Sequence, residues 1–298
     1  MLRVSELKLP LDHPPEALEV AVLRKLRLEP TELREMAIFK RSNDARKKGD
    51  ITLVYIVDVA TTRDDELLER ARRTKDPHVV RTPDMTYRPV AEAPVGGVAS
   101  RPVVIGMGPS GLFAGLMLAR MGFRPIILER GKEVRDRTAD TFRFWRGLSD
   151  LNPESNAQFG EGGAGTFSDG KLYSQVRDTH HHGRKVLQEF VEAGASPEIL
   201  YVNRPHIGTF RLVKIVQAMR ATILALGGEV RFQTRVDDLE IENGRVRGVK
   251  LSDGTHLAAD HVVLAVGHSA RDTFAMLHAR GVYIEAKPFS IGFRVEHP

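Results

Sequence analysis

The sequence predicts an α/β fold, in which a parallel sheet carries an inserted antiparallel meander and a smaller α+β module comes first. Three observations lead to this prediction. A short β-branched run at 102–105 enters a glycine-rich turn and then an apolar helix, the pattern of a βαβ unit. Alternating strand patterns separated by Asn243-Gly244 and Asp253-Gly254 are typical of antiparallel hairpins. The first 90 residues have strand and helix periodicities of their own.

The amino-terminal module, residues 1–90, is expected to follow the order β-α-β-β-α-β of a ferredoxin-like sandwich. The patterns that predict it are a strand at 2–9, a helix opened by Pro14-Pro15, strands at 35–39 and 51–59, a polar helix at 64–72 and a last strand at 79–87. Residues 91–100, with Pro94 and two glycines, are predicted to link it to a larger domain at 101–298.

A basic segment, Lys40 to Lys48, joins the predicted strand pair of this module. It is interpreted as a solvated hairpin loop, because it lacks aromatic residues that would stack on bases. The alternative is a surface for RNA or an acidic partner, carried by Arg41, Arg46, Lys47 and Lys48.

Composition excludes several classes of protein. The chain of 298 residues has no cysteine, which excludes disulfides, cysteine-ligated metal clusters and a dithiol relay. Its net charge of +5 is spread along the chain and is compatible with an anionic ligand. No apolar run approaches the roughly 20 residues of a membrane span, and residues 1–6 lack a signal-peptide core. A cytoplasmic protein without membrane contact is therefore expected.

The run Gly106–Gly111 has the glycine spacing of a dinucleotide-binding turn. Gly106 permits the tight turn from strand to helix, Gly108 lets the backbone approach a pyrophosphate, and Gly111 allows helix and strand to pack closely. The helix that follows, 112–121, offers unpaired N–H groups and about half a positive charge at its amino terminus. The turn is therefore predicted to hold the pyrophosphate of a dinucleotide.

Glu129 ends the second strand of this unit, 125–128, where the ribose of a dinucleotide would lie. Its carboxylate would accept a hydrogen bond from a ribose 2′-hydroxyl and would repel the 2′-phosphate of NADP. The adjacent Arg130 would partly offset that repulsion. FAD is the dinucleotide that we expect. The three glycines and Glu129 are called the fingerprint below.

A second glycine-rich segment, Gly160 to Lys171, lies within a long irregular stretch at 131–182. So many glycines are unfavourable inside a helix or strand, and they favour a loop that lies flat against a planar or charged group. The patterns after it predict helices at 184–193 and 210–226, a parallel strand at 229–232, the meander at 236–260 and an apolar strand at 261–267.

Together these features resemble the flavoprotein superfamily whose FAD domain is similar to that of glutathione reductase. The resemblance implies a Rossmann-like FAD-binding domain over 101–298, with the start of a substrate domain. In that superfamily the fingerprint binds the ADP half of FAD, and the apolar strand ending at Gly267 passes close to the pyrophosphate. The residues thereby implied to contact FAD are Gly106, Gly108, Pro109, Ser110, Gly111, Glu129, Arg130, Gly162, Gly163, Ala164, Gly165, Thr166, Val236, Ala265 and Gly267.

More narrowly, the segments 40–48, 160–171 and 265–273 resemble a group of mostly bacterial, uncharacterised FAD-dependent dehydrogenases with a similar amino-terminal module. Proteins of that group are longer, with more substrate domain and a final glycine-rich segment that caps the flavin. This chain stops at Pro298, just after a strand expected at 289–295, so we expect a fragment.

The sequence leaves the catalytic residues unknown and offers three candidates. Asp169 and Lys171 lie in the second glycine-rich segment, where a lysine near the flavin could stabilise its reduced, anionic form. His268 follows the apolar strand, at the edge where open α/β sheets bind ligands, and an imidazole can donate a proton near neutral pH. The alternative for His268 is a structural hydrogen bond at the end of a strand.

Two clusters of basic residues are assigned to the surface, and no metal site is expected. In His180-His181-His182, adjacent side chains diverge, so a solvated start of a helix is favoured over a metal site. Arg135, Arg137 and Arg143 are predicted to be exposed, with contact to phosphate as the alternative.

The leading functional prediction is an FAD-dependent oxidoreductase, a dehydrogenase whose substrate and electron donor are unknown. A flavin-dependent RNA-modifying enzyme is the first alternative, prompted by the basic segment. A non-enzymatic FAD-binding sensor or scaffold protein is the second. Only one fingerprint is present, so no separate NAD(P)H domain is predicted.

Overall fold

The computed structural model describes residues 1–47, 49–168, 170–173 and 176–288, together with Gly292 and Val295. The chain forms two compact units. The first comprises Met1–Val90 and Gly165–Ala218, and the second comprises Ala91–Ala164 and Met219–Pro298. Residues 165–218, which the sequence placed in the larger domain, thus group by their contacts with the amino-terminal module. The strand expected at 289–295 lies almost entirely outside the described residues.

Residues 1–90 form a four-stranded sheet with a helix after its first and third strands. Its elements are β1 (Leu2–Pro10), α1 (Ala17–Leu26), β2 (Leu33–Asp44), β3 (Thr52–Thr61), α2 (Asp64–Thr74) and β4 (Val79–Arg81). The sheet order is β2-β3-β1-β4, and all neighbouring strands are antiparallel. Every second residue of β3 is buried, so one face of the sheet packs against the apolar residues of α1 and α2.

Two expectations for this module require correction. The strand β2 continues to Asp44, so the first half of the basic segment is strand rather than loop, paired with β3 from Lys40↔Ile56 to Asp44↔Thr52. The last strand ends at Arg81 instead of reaching Tyr87, because Pro83 has no N–H to donate to a neighbouring strand.

Twelve further α-helices and strands are described after residue 90. They are β5 (Val103–Ile105), α3 (Pro109–Arg120), β6 (Ile126–Leu128), α4 (Val134–Trp145), α5 (His182–Glu192), α6 (Thr209–Ala225), β7 (Glu229–Arg231), β8 (Val236–Glu242), β9 (Arg245–Leu251), β10 (His256–Ala258), β11 (Val262–Leu264) and α7 (Arg271–Ala279). Short 3-10 helices occupy Pro30–Glu32, Gly163–Phe167 and Pro197–Leu200.

In the first unit, β2 is the edge strand of its sheet, and its outer edge pairs with residues 201–203. Arg41 donates its backbone N–H to Tyr201 O at 2.7 Å, and Asn203 donates its N–H to Arg41 O at 2.8 Å. These bonds frame a parallel bridge between Arg41 and Val202. An open sheet edge invites pairing with other chains, and this segment covers part of it.

The second unit contains a parallel sheet of order β11-β5-β6-β7 and an antiparallel sheet of order β10-β9-β8. Apolar residues of β8 and β9 pack against β5 and β6 in one core. The predicted mixed α/β architecture, with a parallel sheet and an inserted antiparallel meander, is confirmed. Among the described residues, no helix is long and apolar enough to cross a membrane.

Candidate nucleotide-binding site

The fingerprint turn lies between the carboxyl end of β5 and the start of α3, and its three glycines have different surroundings. Gly106 has φ +96°, and a Cβ there would lie 2.5 Å from the carbonyl oxygen of Ala265. A Cβ on Gly111 would lie 1.9 Å from the carbonyl oxygen of Gly106. Both positions therefore require glycine for the packing of the protein itself.

Gly108 is different, because a Cβ built on it would meet only the Cα of Gly163, at an ordinary 3.8 Å. Its backbone is extended, so no strain forces glycine at this position. Gly108 is also the N-cap of α3, whose first turn contains no acidic residue. The turn is thus open in front of a helix amino terminus, which is the arrangement that binds phosphates.

Glu129 stands at the tip of β6 with a side chain that is 3% exposed. One carboxylate oxygen accepts the backbone N–H of Met107 at 2.6 Å, and the other accepts that of Gly131 at 2.8 Å. Each carboxylate oxygen can accept a second hydrogen bond, so a ribose hydroxyl can still be bound there. The sequence revealed the acid but not these two bonds, which tie it to the fingerprint turn.

Arg130 points toward acidic partners. Its guanidinium lies 3.1 Å from a carboxylate oxygen of Glu154, pairs with Asp272 and lies 4.6 Å from the ring centre of Phe159. The hydrogen bond from Arg130 lowers the pKa of Asp272, in the first turn of α7. Because Arg130 is neutralised in this way, it adds little to a site for a 2′-phosphate.

Val236 begins β8 and is buried, just after a segment that pairs with the tip of β6. Thr234 donates its N–H to Glu129 O at 2.9 Å, and Gln233 donates to Gly131 O at 3.0 Å. A polar cavity of about 360 Å³ lies beside this tip. Its lining residues are Arg130, Lys132, Asn152, Glu154, Ser155, Gln233, Arg235 and Ser252.

The first part of the second glycine-rich segment contacts the fingerprint turn. Gly162 donates its N–H to Met107 O at 2.8 Å. A Cβ on Gly163, whose φ is +58°, would lie 2.9 Å from Pro109 Cδ and 3.1 Å from Gly108 Cα. Gly162 and Gly163 are buried, Ala164 is exposed, and a 3-10 helix begins at Gly163. The structure therefore brings these glycines together with Gly108, Pro109 and Glu129.

Ala265, the residue that follows β11, lies against the other side of the turn. Ala265 donates its N–H to Ile105 O at 2.9 Å, and its own carbonyl lies against Gly106. Gly267 has φ +74° and is exposed, as is the catalytic candidate His268 that follows it.

The remaining predicted site residues are grouped with the first unit or are not described. Gly165, Thr166 and Lys171 belong to the first unit, where Lys171 is exposed and forms an isolated antiparallel bridge with His206. Asp169 lies outside the described residues. In the described part of the chain, no group of three or more histidine or acidic side chains is placed to hold a metal ion.

Arg137 contradicts the prediction that it lies on the surface. Its side chain is 0% exposed, and it donates to backbone carbonyls of the loop that precedes the 3-10 helix. Burial lowers the pKa of Arg137 to about 10, and the nearby charges of Glu129 and Glu161 oppose that shift. Alternation of polar and apolar residues in α4 gives no signal for this burial, because the partners are 19 to 26 residues away in sequence.

Comparison with known proteins gives two family matches. Residues 204–295 match the model described as FAD dependent oxidoreductase, and residues 1–60 match a Domain of unknown function (DUF8436). The predicted cofactor, FAD, is confirmed by the first match. The open space at Gly108 and the carboxylate of Glu129 fit that cofactor, since they leave room for a pyrophosphate and hydrogen-bond acceptors for a ribose.

A curated relative, an uncharacterized protein of Clostridium beijerinckii, is 39% identical over 302 residues. The alignment includes 100% of this chain but 54% of the relative, so the chain spans about half of that protein's length.

Two solved structures have partial similarity. One is THI4 of Thermovibrio ammonificans, with 20% identity, 62% of this chain and 64% of that chain covered, and a TM-score of 0.39. The other is glycine oxidase from Geobacillus kaustophilus, with 14% identity, 60% and 58% covered, and a TM-score of 0.40.

Proposed function

We propose that this chain is the FAD-binding part of an oxidoreductase of the dehydrogenase type. The observation that carries the proposal is the cradle formed by Gly108, the amino terminus of α3 and the backbone of Gly163. Gly106 and Gly111 are explained by packing inside the protein, whereas Gly108 is not. A glycine with open space before a helix amino terminus is explained by a phosphate that must come close.

Different residues of this chain would bind different parts of the cofactor. Gly108 and Ser110 would meet the pyrophosphate with backbone N–H groups, and Glu129 would accept hydrogen bonds from the ribose. The adenosine end would lie in the polar cavity that is lined by Arg130 and Arg235, the sequence neighbours of Glu129 and Val236. FAD, when bound, supplies the transfer of electrons to or from the substrate, and the protein supplies position and electrostatics.

Three finer assignments belong to the same proposal. Residues 1–90 are proposed to be a ferredoxin-like sandwich, supported by the element order and by the sheet order β2-β3-β1-β4. Membership in the bacterial FAD-dependent dehydrogenases is supported by the resemblance of three segments. Lys171 and His268 remain proposals as catalytic residues.

The RNA-modifying alternative gains no support from the basic segment. Arg46 pairs with Asp44 in the same segment, and Arg41 lies 5.4 Å from the ring centre of Tyr201. Lys48 lies outside the described residues. Salt-sensitive RNA binding that is lost when Arg46 and Lys47 are neutralised would still revive this alternative.

The test is the absorbance spectrum of the purified 298-residue chain, followed by heat extraction and identification of the released nucleotide by mass. Flavin absorbance and released FAD are expected, with Gly108→Val as the matched control that releases none. A chain that neither retains FAD nor binds it when supplied would overturn the proposal. Release of NADP or NAD instead would show that the fingerprint holds a different dinucleotide.

A further inference from the structure

Arg137 on α4 is a charged residue with no access to solvent, and it donates four hydrogen bonds to one loop. Its guanidinium donates to the carbonyl oxygens of Asn156 at 2.7 Å, Ala157 at 3.0 Å, Glu161 at 2.5 Å and Gly163 at 2.8 Å. Burying an ion costs several kcal/mol unless its hydrogen bonds are satisfied, so this arrangement needs an explanation.

The loop is shaped around this side chain. Gly160 has φ +118°, and a Cβ there would lie 2.2 Å from Cδ of Arg137. Only glycine allows the backbone to pass so close to the arginine. Gly163 connects Arg137 with the fingerprint turn. Its carbonyl oxygen accepts a hydrogen bond from Arg137, while its Cα faces Gly108.

A second buried charge completes the arrangement. The carboxylate of Glu161 is 0% exposed and accepts the N–H of Val134, near the start of α4, at 2.8 Å. Its other oxygen lies 3.2 Å from Nε of Arg220, which also pairs with Glu133 at 2.8 Å. The loop is thus bound to α4 in two ways: Arg137 of the helix donates to carbonyls of the loop, and Glu161 of the loop accepts an N–H of the helix.

We propose that Arg137 is a positioning residue for the cofactor, one that holds the loop 156–163 in the shape that receives the pyrophosphate. By drawing four carbonyl oxygens to itself, the guanidinium keeps their partial negative charge away from the phosphates. Its own positive charge also adds to the favourable potential at the turn. This inference rests on the proposed function, because it assigns Arg137 to the same FAD site.

The experiment compares Arg137→Met, Arg137→Lys and the control Arg143→Met, which changes an exposed arginine on the same helix. Affinities for FAD, ADP and AMP are measured on the flavin-stripped full chain by calorimetry, together with its thermal unfolding. We expect Arg137→Met to bind FAD and ADP at least about tenfold more weakly. AMP, which lacks the second phosphate, should bind within about threefold of wild type, and Arg143→Met should match wild type for all three.

Arg137→Lys separates positioning from charge. A lysine ammonium has three donors and no planar fork, so it cannot hold four carbonyls. The positioning role therefore predicts little recovery by lysine, whereas recovery to wild-type affinity would overturn it in favour of charge alone.

Other results also overturn the inference. Unchanged FAD and ADP affinity in a folded Arg137→Met protein would do so, as would equal losses for FAD, ADP and AMP. Failure of both Arg137 variants to fold would assign this residue a structural role only. A wild-type chain that does not bind FAD would refute the proposed function as well, and wild-type binding distinguishes the two cases.

Discussion

Met107 and Glu129 are joined by a hydrogen bond of 2.6 Å, from the backbone N–H of Met107 to a carboxylate oxygen of Glu129. The carbonyl of Met107 accepts the N–H of Gly162 at 2.8 Å. A single fully buried residue of the turn therefore connects the acid at the tip of β6 with the second glycine-rich segment. The acid, the turn and the glycine-rich segment are therefore coupled, and we expect a substitution in one of them to change the structure of the others.

The glycines of the fingerprint should separate binding from folding. Gly108→Val is expected to weaken FAD binding at least about a hundredfold, because its side chain takes the space of a phosphate. Valine is a poor N-cap, so the flavin-free protein should lose only about 1 kcal/mol of unfolding free energy. Gly111→Ala should instead cost about 1–3 kcal/mol of stability, because its methyl collides with Gly106 O.

Flavin content by absorbance and urea unfolding of the stripped protein measure both effects for both variants. If Gly108→Val keeps its flavin, or if Gly111→Ala unfolds at the same urea concentration as wild type, the assignment of the two glycines is wrong.

Glu129→Ala should weaken FAD binding by about 1–3 kcal/mol and also destabilise the flavin-free protein. The second effect follows because the N–H groups of Met107 and Gly131 would lose their acceptor in a buried place. Glu242→Ala, at the exposed end of β8, is the control and should change neither quantity. Loss of FAD affinity with wild-type stability would mean that the two backbone bonds contribute nothing to the fold.

Glu161 should make stability depend on pH in a recognisable direction. Burial raises the pKa of Glu161 above 4.5, so the folded protein keeps this proton at pH values where the unfolded chain has lost it. The stability due to this group therefore falls as pH rises above 4.5 and levels off beyond the pKa of the folded state.

Glu161→Gln removes this titration. Wild type should lose stability relative to the variant as pH rises through that window, in urea unfolding of the flavin-free chain. A difference between the two proteins that stays constant, or that changes in the opposite direction, would contradict the burial of an ionisable Glu161.

The pairing of β2 with residues 201–203 predicts a matched pair of variants at Asn203. Asn203→Pro removes the N–H that donates to Arg41 O and should loosen this pairing by about 0.5–1.5 kcal/mol. Asn203→Ala keeps that N–H. Hydrogen exchange of peptides that contain Arg41 should be up to about tenfold faster in the proline variant than in the alanine variant. Equal exchange in both would show that the bond does not hold the segment in solution.

Local sequence patterns were enough to predict the features that depend on short-range requirements. The order of strand, glycine turn, helix and strand follows from short-range patterns, and so do the hairpins at Asn243-Gly244 and Asp253-Gly254. The backbone of a tight turn allows few residue types, so Gly106, with φ +96°, could be recognised without its neighbours. In such turns the residue type alone indicates the backbone conformation that requires it.

The folded chain was needed to show which charged residues are buried and which distant segments are in contact. Arg137 looks like any surface arginine on a polar helix, because the four carbonyls that satisfy it come from a loop 19 to 26 residues later. Residues 165–218 likewise group with the amino-terminal module, and their contacts include backbone pairing at Arg41, which any sequence can provide. Every residue except proline has the same backbone donor and acceptor, so the residue type does not indicate which backbone groups will pair. Such contacts are known only from the folded structure.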